Sequence, residues 1–168
     1  AIHLMGHSSL QVGLIASNKG DAFVLERAKK LGIDSSVFNK RSLDDGAFLE
    51  LLKNDKIDYI VLAGFLLKVP QNLINAYPQG IINIHPALLP NYGGKGMYGS
   101  RVHQAVIDNK EVESGITIHY VNENFDEGEI IFQAKCELSE SDTTDDLAAK
   151  IHKLEHKYFP EIVEKLWG

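Results

Sequence analysis

Short apolar runs alternate with helical patterns along most of this 168-residue chain. Residues 11–17 and 35–38 have the composition of strands, and residues 21–32 between them have the pattern of a helix that Gly32 ends. This alternation is typical of βα units, which build a parallel sheet covered by helices on both faces. We therefore predict an α/β fold with a Rossmann-like, mostly parallel twisted sheet.

The second half of the chain continues the pattern and then departs from it. Residues 47–54 and 103–109 are predicted helices, and residues 59–65 and 80–85 are predicted buried strands. The strands predicted at residues 115–121 and 129–138 are joined by a short turn, which indicates antiparallel neighbours.

The last segment has a capping-box pattern at Thr143 and Asp146, followed by helical periodicity. We predict a long amphipathic helix there, kinked or split near Pro160.

Bulk composition limits the class of protein. The length fits one domain over residues 1–168, and a net charge of −6 argues against a duplex nucleic acid as partner. Cys136 is the single cysteine, and no apolar run is long enough for a membrane span. The first residues lack the basic and apolar regions of a secretory signal, so we expect a cytoplasmic protein without a membrane partner.

Asn83 and His85 are two residues apart at the end of a predicted strand, so their side chains point to the same side. An amide can donate to a developing oxyanion, and an imidazole can exchange a proton near neutral pH. The pair therefore suits acyl-type transfer through a tetrahedral intermediate. An equally simple interpretation is that Asn83 caps the turn before Pro86 and His85 is a core histidine.

Four motifs occur in order along the chain: AGFLLKV at residues 63–69, NIHPALLP at 83–90, FDEG at 125–128 and EHKYFP at 155–160. Together they resemble the formyltransferase family that uses 10-formyltetrahydrofolate, most closely its members that formylate glycinamide ribonucleotide. The resemblance covers roughly residues 10–165 and implies three catalytic residues, Asn83, His85 and Asp126. It implies neither a metal nor a covalent enzyme intermediate.

The resemblance also implies binding residues. In the family the pterin ring is bound at the first of these motifs, here by Leu66, Leu67, Lys68 and Val69 together with Asn83. We expect residues 66–69 to begin a helix and so to leave backbone groups free, although they could equally be core leucines of a helix start. Family members use an acid at the position of Glu155 to contact the ribose of the nucleotide substrate. The resemblance also implies that His119 lies near the folate pocket.

For two of these residues a simpler interpretation stays open: Asp126 as a turn residue and Glu155 as a solvated helix carboxylate. His152 and His156 flank Glu155 at helical spacing but lack a third metal ligand, so we predict no metal site.

The start of the chain departs from the family. Relatives begin with a strand, a glycine- and serine-rich phosphate loop and a helix, and this first unit is apparently missing here. GHSS at residues 6–9 is at most a fragment of such a loop, so no phosphate-binding residue is assigned. We expect that residues are omitted from a longer chain, rather than that the protein is shortened or divergent.

The glycine-rich loop at residues 91–103 follows His85 in the chain and is expected to cover the ligand. Lys95 and Arg101 in this loop are candidate anion contacts, although solvated charges explain them equally well.

The leading hypothesis is formyl transfer from 10-formyltetrahydrofolate, as co-substrate, to the amine of glycinamide ribonucleotide in de novo purine biosynthesis. Methionyl-tRNA formyltransferase and formyltetrahydrofolate hydrolase activities are alternatives, and a non-catalytic folate-binding module is an alternative of another class. The expected partners are small molecules, and the sequence leaves a homodimer open.

Overall fold

The computed structural model describes residues 9–168, which form six strands and six helices. In chain order these are β1 (Ile15–Ser17), α1 (Phe23–Leu31), β2 (Ser35–Val37), α2 (Lys40–Asp44), α3 (Ala47–Asn54), β3 (Ile60–Ala63), α4 (Gln71–Ala76), β4 (Ile81–His85), α5 (Ser100–Asp108), β5 (Glu113–Tyr120), β6 (Ile130–Glu137) and α6 (Thr144–Trp167).

The strands pair into two sheets within the described part of the chain. β1 and β2 form a parallel pair, and the second sheet has the order β3-β4-β5-β6. In the second sheet β3 is parallel to β4, whereas β5 is antiparallel to both β4 and β6. The predicted α/β class, with antiparallel strands toward the C-terminus, is therefore confirmed. Within residues 9–168 the two sheets are separate, because no described strand joins β1 to β3.

The expectations for the start of the chain, including most of the GHSS fragment, concern residues 1–8 and lie outside the described residues. A single domain over residues 1–168 stays a prediction.

Local signals explain the ends of several helices. Gly32 ends α1 in the left-handed conformation with φ 67°, which glycine adopts without strain. The capping box at the start of α6 is present, because the Thr143 and Asp146 side chains bond each other's backbone N–H. The predicted split of this helix is wrong, since α6 continues through Pro160 as one helix of 24 residues.

Buried side chains form two clusters around the second sheet. One lies among α2, α3, α4 and the start of β4, and includes Leu43, Leu52 and Leu73. The other joins the rest of β4 and β5 to α5 and α6, and includes Ile116 and Leu147. β4 contributes Ile81 to the first cluster and Ile82 and Ile84 to the second, so the strand that carries Asn83 and His85 is packed on both faces.

The turn that follows β4 is anchored by a buried hydroxyl on β5. Thr117 is fully buried; its Oγ1 donates to Ala87 O at 2.7 Å and accepts from Leu89 N at 3.0 Å. Gln133 Nε2 on β6 donates to the same hydroxyl at 2.9 Å and to Leu89 O at 3.0 Å. These bonds fix the chain immediately after His85.

Within residues 9–168, no helix has both the length and the apolar character needed to cross a membrane.

Candidate active site

Asn83 and His85 lie at the carboxyl end of β4, as the sequence predicts. The antiparallel register pairs Asn83 with His119 and His85 with Thr117 on β5. The Asn83 Nδ2 atom lies 3.2 Å from His119 Nε2, and the His85 side chain is almost wholly buried. The amide and the imidazole therefore occupy one end of the sheet, beside a second histidine.

Asp126 reaches both histidines from the turn between β5 and β6. Its Oδ2 lies 3.6 Å from His85 Nδ1, and its Oδ1 lies 3.6 Å from His119 Nε2. Both distances exceed a direct hydrogen bond but allow strong charge interaction in a site where the carboxylate is only 13% exposed. The structure thus brings together all three residues that the sequence proposes as catalytic, and adds His119.

The backbone around Asp126 is shaped for this position. Asp126 has φ 57°, a left-handed conformation that aspartate tolerates better than most residues, and its Oδ2 accepts from Gly94 N at 2.9 Å. Gly128, two residues on, runs so close to β5 that a Cβ would lie 1.7 Å from Tyr120 O. Only glycine fits there, which explains the last residue of the FDEG motif.

The protonation of His85 follows from its contacts. Nε2 lies 2.8 Å from the carbonyl oxygen of Tyr92, which can only accept, so Nε2 carries the hydrogen. In the neutral ring Nδ1 therefore presents a lone pair on the side of Asp126. Burial, the largest influence, lowers the pKa of His85 below its ordinary value, and the opposing charge of Asp126 does not outweigh it. The charge of Asp126 favours the protonated ring, but burial has the larger effect, so His85 is neutral near pH 7.

For the pKa of Asp126, the neighbouring groups outweigh burial. Burial alone would raise its pKa, but the two histidines and the Gly94 N–H together lower the pKa of this carboxyl below its ordinary value. The carboxylate is therefore ionised at neutral pH beside a neutral imidazole. Such a pair can accept a proton on His85 and stabilise the resulting imidazolium.

His119 orients the catalytic amide. Its Nδ1 donates to Tyr120 O at 2.8 Å, so Nε2 of the neutral ring is an acceptor for the Asn83 amide. One N–H of Asn83 is used in this way, and the amide has a second N–H available for a ligand. Sequence reasoning gave His119 only a minor place, because its pairing with Asn83 depends on strand register.

Residues 66–69 form a loop rather than the start of a helix, so that expectation is wrong. α4 begins later, at Gln71 after Pro70. A groove of about 310 Å³ is lined by three residues of this loop and by residues around it, namely Lys40, Leu43, Asp44, Leu67, Lys68, Val69, Pro70, Gln71 and Glu123. The fourth residue, Leu66, is half exposed and is not among the lining residues, and neither is Asn83.

Glu155 lies half-buried on α6, with His152 and His156 exposed on either side. Burial raises the pKa of its carboxyl, and the two flanking histidines partly oppose this. No hydrogen bond or ion pair within the described chain links Glu155 to Asn83, His85 or Asp126. Residues 9–168 contain no group of three or more candidate metal ligands, and the expectation of no metal site stays a prediction.

His103 is a residue that the sequence analysis did not single out. It lies in the first turns of α5, is 6% exposed, and its Nδ1 has no hydrogen-bond partner among the described residues. Burial lowers the pKa of His103, and the charges of His152 and His85 lower it further. His103 thus lies between the end of β4 and α6. Its helical periodicity identifies an inward-facing position, but the sequence does not show that it approaches His85.

Lys95 and Arg101 are both exposed, and Arg101 lies over the ring of Tyr98 at 5.0 Å. Neither residue has a contact with Asn83, His85 or Asp126 in the described chain, so their role as anion contacts stays a prediction.

The site lies in a part of the chain that matches a known protein family. The family described as Formyl transferase matches residues 3–163 of the chain. The chain belongs to the formyl transferase family. The matched residues include the Asn83–His85 strand and Asp126, so the site lies within the family's shared domain.

Several curated relatives of this formyl transferase share one name. Phosphoribosylglycinamide formyltransferase of Arabidopsis thaliana, described as chloroplastic, is 41% identical over 158 residues, which are 90% of this chain and 54% of the plant protein. The enzyme of Bacillus subtilis with the same name is 37% identical over 160 residues, 92% of this chain and 80% of the bacterial protein. The chain spans about half the length of two plant relatives, 54% and 51%.

Solved structures agree with this formyl transferase fold. Phosphoribosylglycinamide formyltransferase from Streptococcus pneumoniae superposes with a TM-score of 0.85 at 35% identity, covering 95% of this chain and 88% of that chain. The structure from Bacillus halodurans gives a TM-score of 0.87 at 33% identity, covering 96% and 83%. The predicted α/β architecture is therefore that of the family.

Proposed function

We propose that the chain transfers a formyl group from 10-formyltetrahydrofolate to the amine of glycinamide ribonucleotide, a step of de novo purine biosynthesis. The observation that carries the proposal is the meeting of the Asn83 amide, the neutral His85 ring and the ionised Asp126 carboxylate at the end of β4. The names of the relatives support the identity of the acceptor.

The reaction needs charge stabilisation on the formyl oxygen. The amine nitrogen attacks the formyl carbon, and the carbonyl oxygen becomes negatively charged in the tetrahedral intermediate. The free N–H of Asn83 donates to this oxygen, while its other N–H is held by His119. Because the amide is already oriented, no reorganisation is required at the moment of reaction.

The reaction also moves one proton. The attacking amine loses a proton as its nitrogen bonds to the formyl carbon, and N10 of the folate gains one as its bond to that carbon breaks. Nδ1 of His85 is unprotonated at neutral pH and accepts the first proton, and the same nitrogen returns it to N10. Asp126 stabilises the imidazolium between these steps.

The substrate positions follow the family motifs. We propose that the folate binds along the loop of Leu66, Leu67, Lys68 and Val69 and at Asn83, where the groove beside the loop offers both apolar and charged lining. Glu155 is the proposed contact for the nucleotide's ribose hydroxyls. Its partial burial supports a binding role, because a hydrogen bond is stronger in a low-dielectric environment than in water.

The proposed partners are the folate and the nucleotide, with no nucleic acid, membrane or metal. A homodimer is left to a measurement of the oligomeric state. We propose a cytoplasmic location, although the relative from Arabidopsis thaliana is described as chloroplastic.

The test is to supply 10-formyltetrahydrofolate with and without glycinamide ribonucleotide and to follow release of tetrahydrofolate. Release that requires the nucleotide, with formylated nucleotide as the second product, supports transfer. Equal release without any amine would show a hydrolase instead, and folate binding without release would show a non-catalytic module. Formylation of methionyl-tRNA in place of the nucleotide would identify the third alternative.

A further inference from the structure

The loop segment from Tyr92 to Gly94 contacts both His85 and Asp126. The Tyr92 carbonyl oxygen accepts from His85 Nε2 at 2.8 Å, and two residues on, Gly94 N donates to Asp126 Oδ2 at 2.9 Å. One short stretch of loop therefore holds both the imidazole and the carboxylate. Tyr92 itself has φ 58°, a backbone conformation that is unfavourable for a bulky side chain and needs support from elsewhere.

The side chain of Tyr92 supplies that support. Its hydroxyl donates to Glu111 Oε1 at 2.6 Å and accepts from Asn109 Nδ2 at 2.9 Å. Asn109 is the C-cap of α5, and Glu111 follows two residues later. The ring packs against the core cluster shared by β4, β5 and α6. Burial and the bond to Glu111 raise the pKa of the Tyr92 phenol, so the hydroxyl stays a donor across the neutral range.

We propose that Tyr92 is a positioning residue for the reaction: its hydroxyl, held by Glu111 and Asn109, fixes the backbone carbonyl that selects the tautomer of His85. The inference rests on the proposed function for its catalytic consequence, but not for its effect on the ring.

The Tyr92 carbonyl matters because Asp126 competes with it as acceptor for the single ring hydrogen of neutral His85. A neutral imidazole places its one hydrogen beside the better acceptor, and a carboxylate is a stronger acceptor than a peptide carbonyl. Here the carbonyl is at hydrogen-bond distance, 2.8 Å, whereas the carboxylate is 3.6 Å from Nδ1. If the loop loosens, the hydrogen moves to Nδ1, facing Asp126, and the lone pair that accepts the substrate proton is lost.

The experiment uses Tyr92→Phe, which keeps the ring and removes the hydroxyl, with Tyr98→Phe in the same loop as the matched control. Nitrogen-15 NMR of the ligand-free protein, with the His85 signals assigned from His85→Gln, reports the tautomer directly. We expect a single Nε2–H tautomer in the wild type and in Tyr98→Phe, and an increased Nδ1–H fraction in Tyr92→Phe. With substrates, kcat should fall about threefold to tenfold in Tyr92→Phe while KM is unchanged.

Glu111 provides a second pair of variants at an exposed position. Glu111→Ala removes the acceptor and should reproduce Tyr92→Phe, whereas Glu111→Gln keeps an acceptor oxygen and should restore the wild-type tautomer. These two variants test the positioning role of Tyr92 even if Tyr92→Phe folds poorly. An unchanged His85 tautomer and kcat in Tyr92→Phe, or in Glu111→Ala, would overturn the positioning role. If the wild type lacks formyl transfer but Tyr92→Phe still shifts the His85 tautomer, only the proposed function is refuted.

Discussion

The side chains of Asn83 and His119 meet across β4 and β5, with the amide nitrogen 3.2 Å from the imidazole Nε2. The antiparallel register places the two residues directly opposite each other, and the bond from His119 Nδ1 to Tyr120 O makes Nε2 an acceptor. The orientation of the Asn83 amide therefore depends on a residue outside the NIHP motif.

His119→Leu should lower kcat about tenfold, because it leaves one amide N–H of Asn83 unpaired and lets the side chain rotate. KM for both substrates should change little. His119→Gln supplies an acceptor oxygen and should recover part of the loss. Steady-state kinetics with both substrates varied make the measurement, and equal rates for the wild type and His119→Leu would exclude the orienting role.

Asn83→Ala should lower kcat on the order of 10²-fold, since it removes the donor to the developing oxyanion. Asn75→Ala on α4, an exposed asparagine outside the four motifs, is the control and should keep the wild-type rate. Thermal unfolding of both variants shows whether the fold is retained. A folded Asn83→Ala protein with nearly normal kcat would contradict the oxyanion role.

Stability should fall as the pH is lowered from about 7.5 to about 5, because two buried histidines resist protonation. The pKa values of His85 and His103 are both lowered from 6.5 by burial, so the unfolded chain binds protons that the folded chain does not. Their contribution is complete above the unfolded pKa and is lost as the pH falls through the folded one. Each such proton changes the free energy of unfolding by at most about 1.4 kcal/mol per pH unit.

Urea unfolding at a series of pH values measures this dependence. His103→Leu, which also removes the unpartnered Nδ1, should show a smaller loss of stability between neutral and acid pH than the wild type. An identical pH dependence in both proteins would show that His103 is protonated as easily in the folded state as in the unfolded one.

Gly93→Ala should reduce activity more than stability. A Cβ at this position would lie 2.5 Å from Leu89 Cδ2 and 3.3 Å from Asp126 Cβ, so the loop or the carboxylate must move. We expect kcat to fall about tenfold, as small displacements of catalytic groups do. Gly20→Ala is the matched control, because a Cβ there meets no atom of residues 9–168 within 4 Å. Equal activity of the two variants would show that Asp126 tolerates displacement.

Much of the fold could be predicted because local signals were strong. The helix predicted at residues 47–54 is α3, and the caps at Gly32 and Thr143 lie where the pattern places them. The helix α2 was missed, since five residues are too few to show a helical period, and α4 begins at Gln71 rather than at residues 66–69. The strand predicted from residue 11 begins only at Ile15, because its parallel pairing with β2 is three residues long.

The identity of the catalytic residues could be predicted from the sequence, but the contacts between them could not. The NIHP motif indicates that Asn83 and His85 share one side of a strand, which requires only a period of two. The approach of Asp126 and His119 depends on pairing between distant strands, and the net effect of burial on the His85 pKa depends on three-dimensional packing. The contact with Tyr92 is to a backbone carbonyl, which every residue type carries, so sequence holds no sign of it.

The central claim is that Asn83, His85 and Asp126 act together on one formyl carbon, and Asp126→Asn tests it most directly. Asparagine keeps an acceptor oxygen for Gly94 N but removes the charge that stabilises a protonated His85. The measurement is the single-turnover rate of formyl transfer to glycinamide ribonucleotide at saturating substrates, with folding checked by circular dichroism. We predict a loss on the order of 10²-fold or more in a folded protein. A folded Asp126→Asn variant that transfers the formyl group at the wild-type rate would contradict the account.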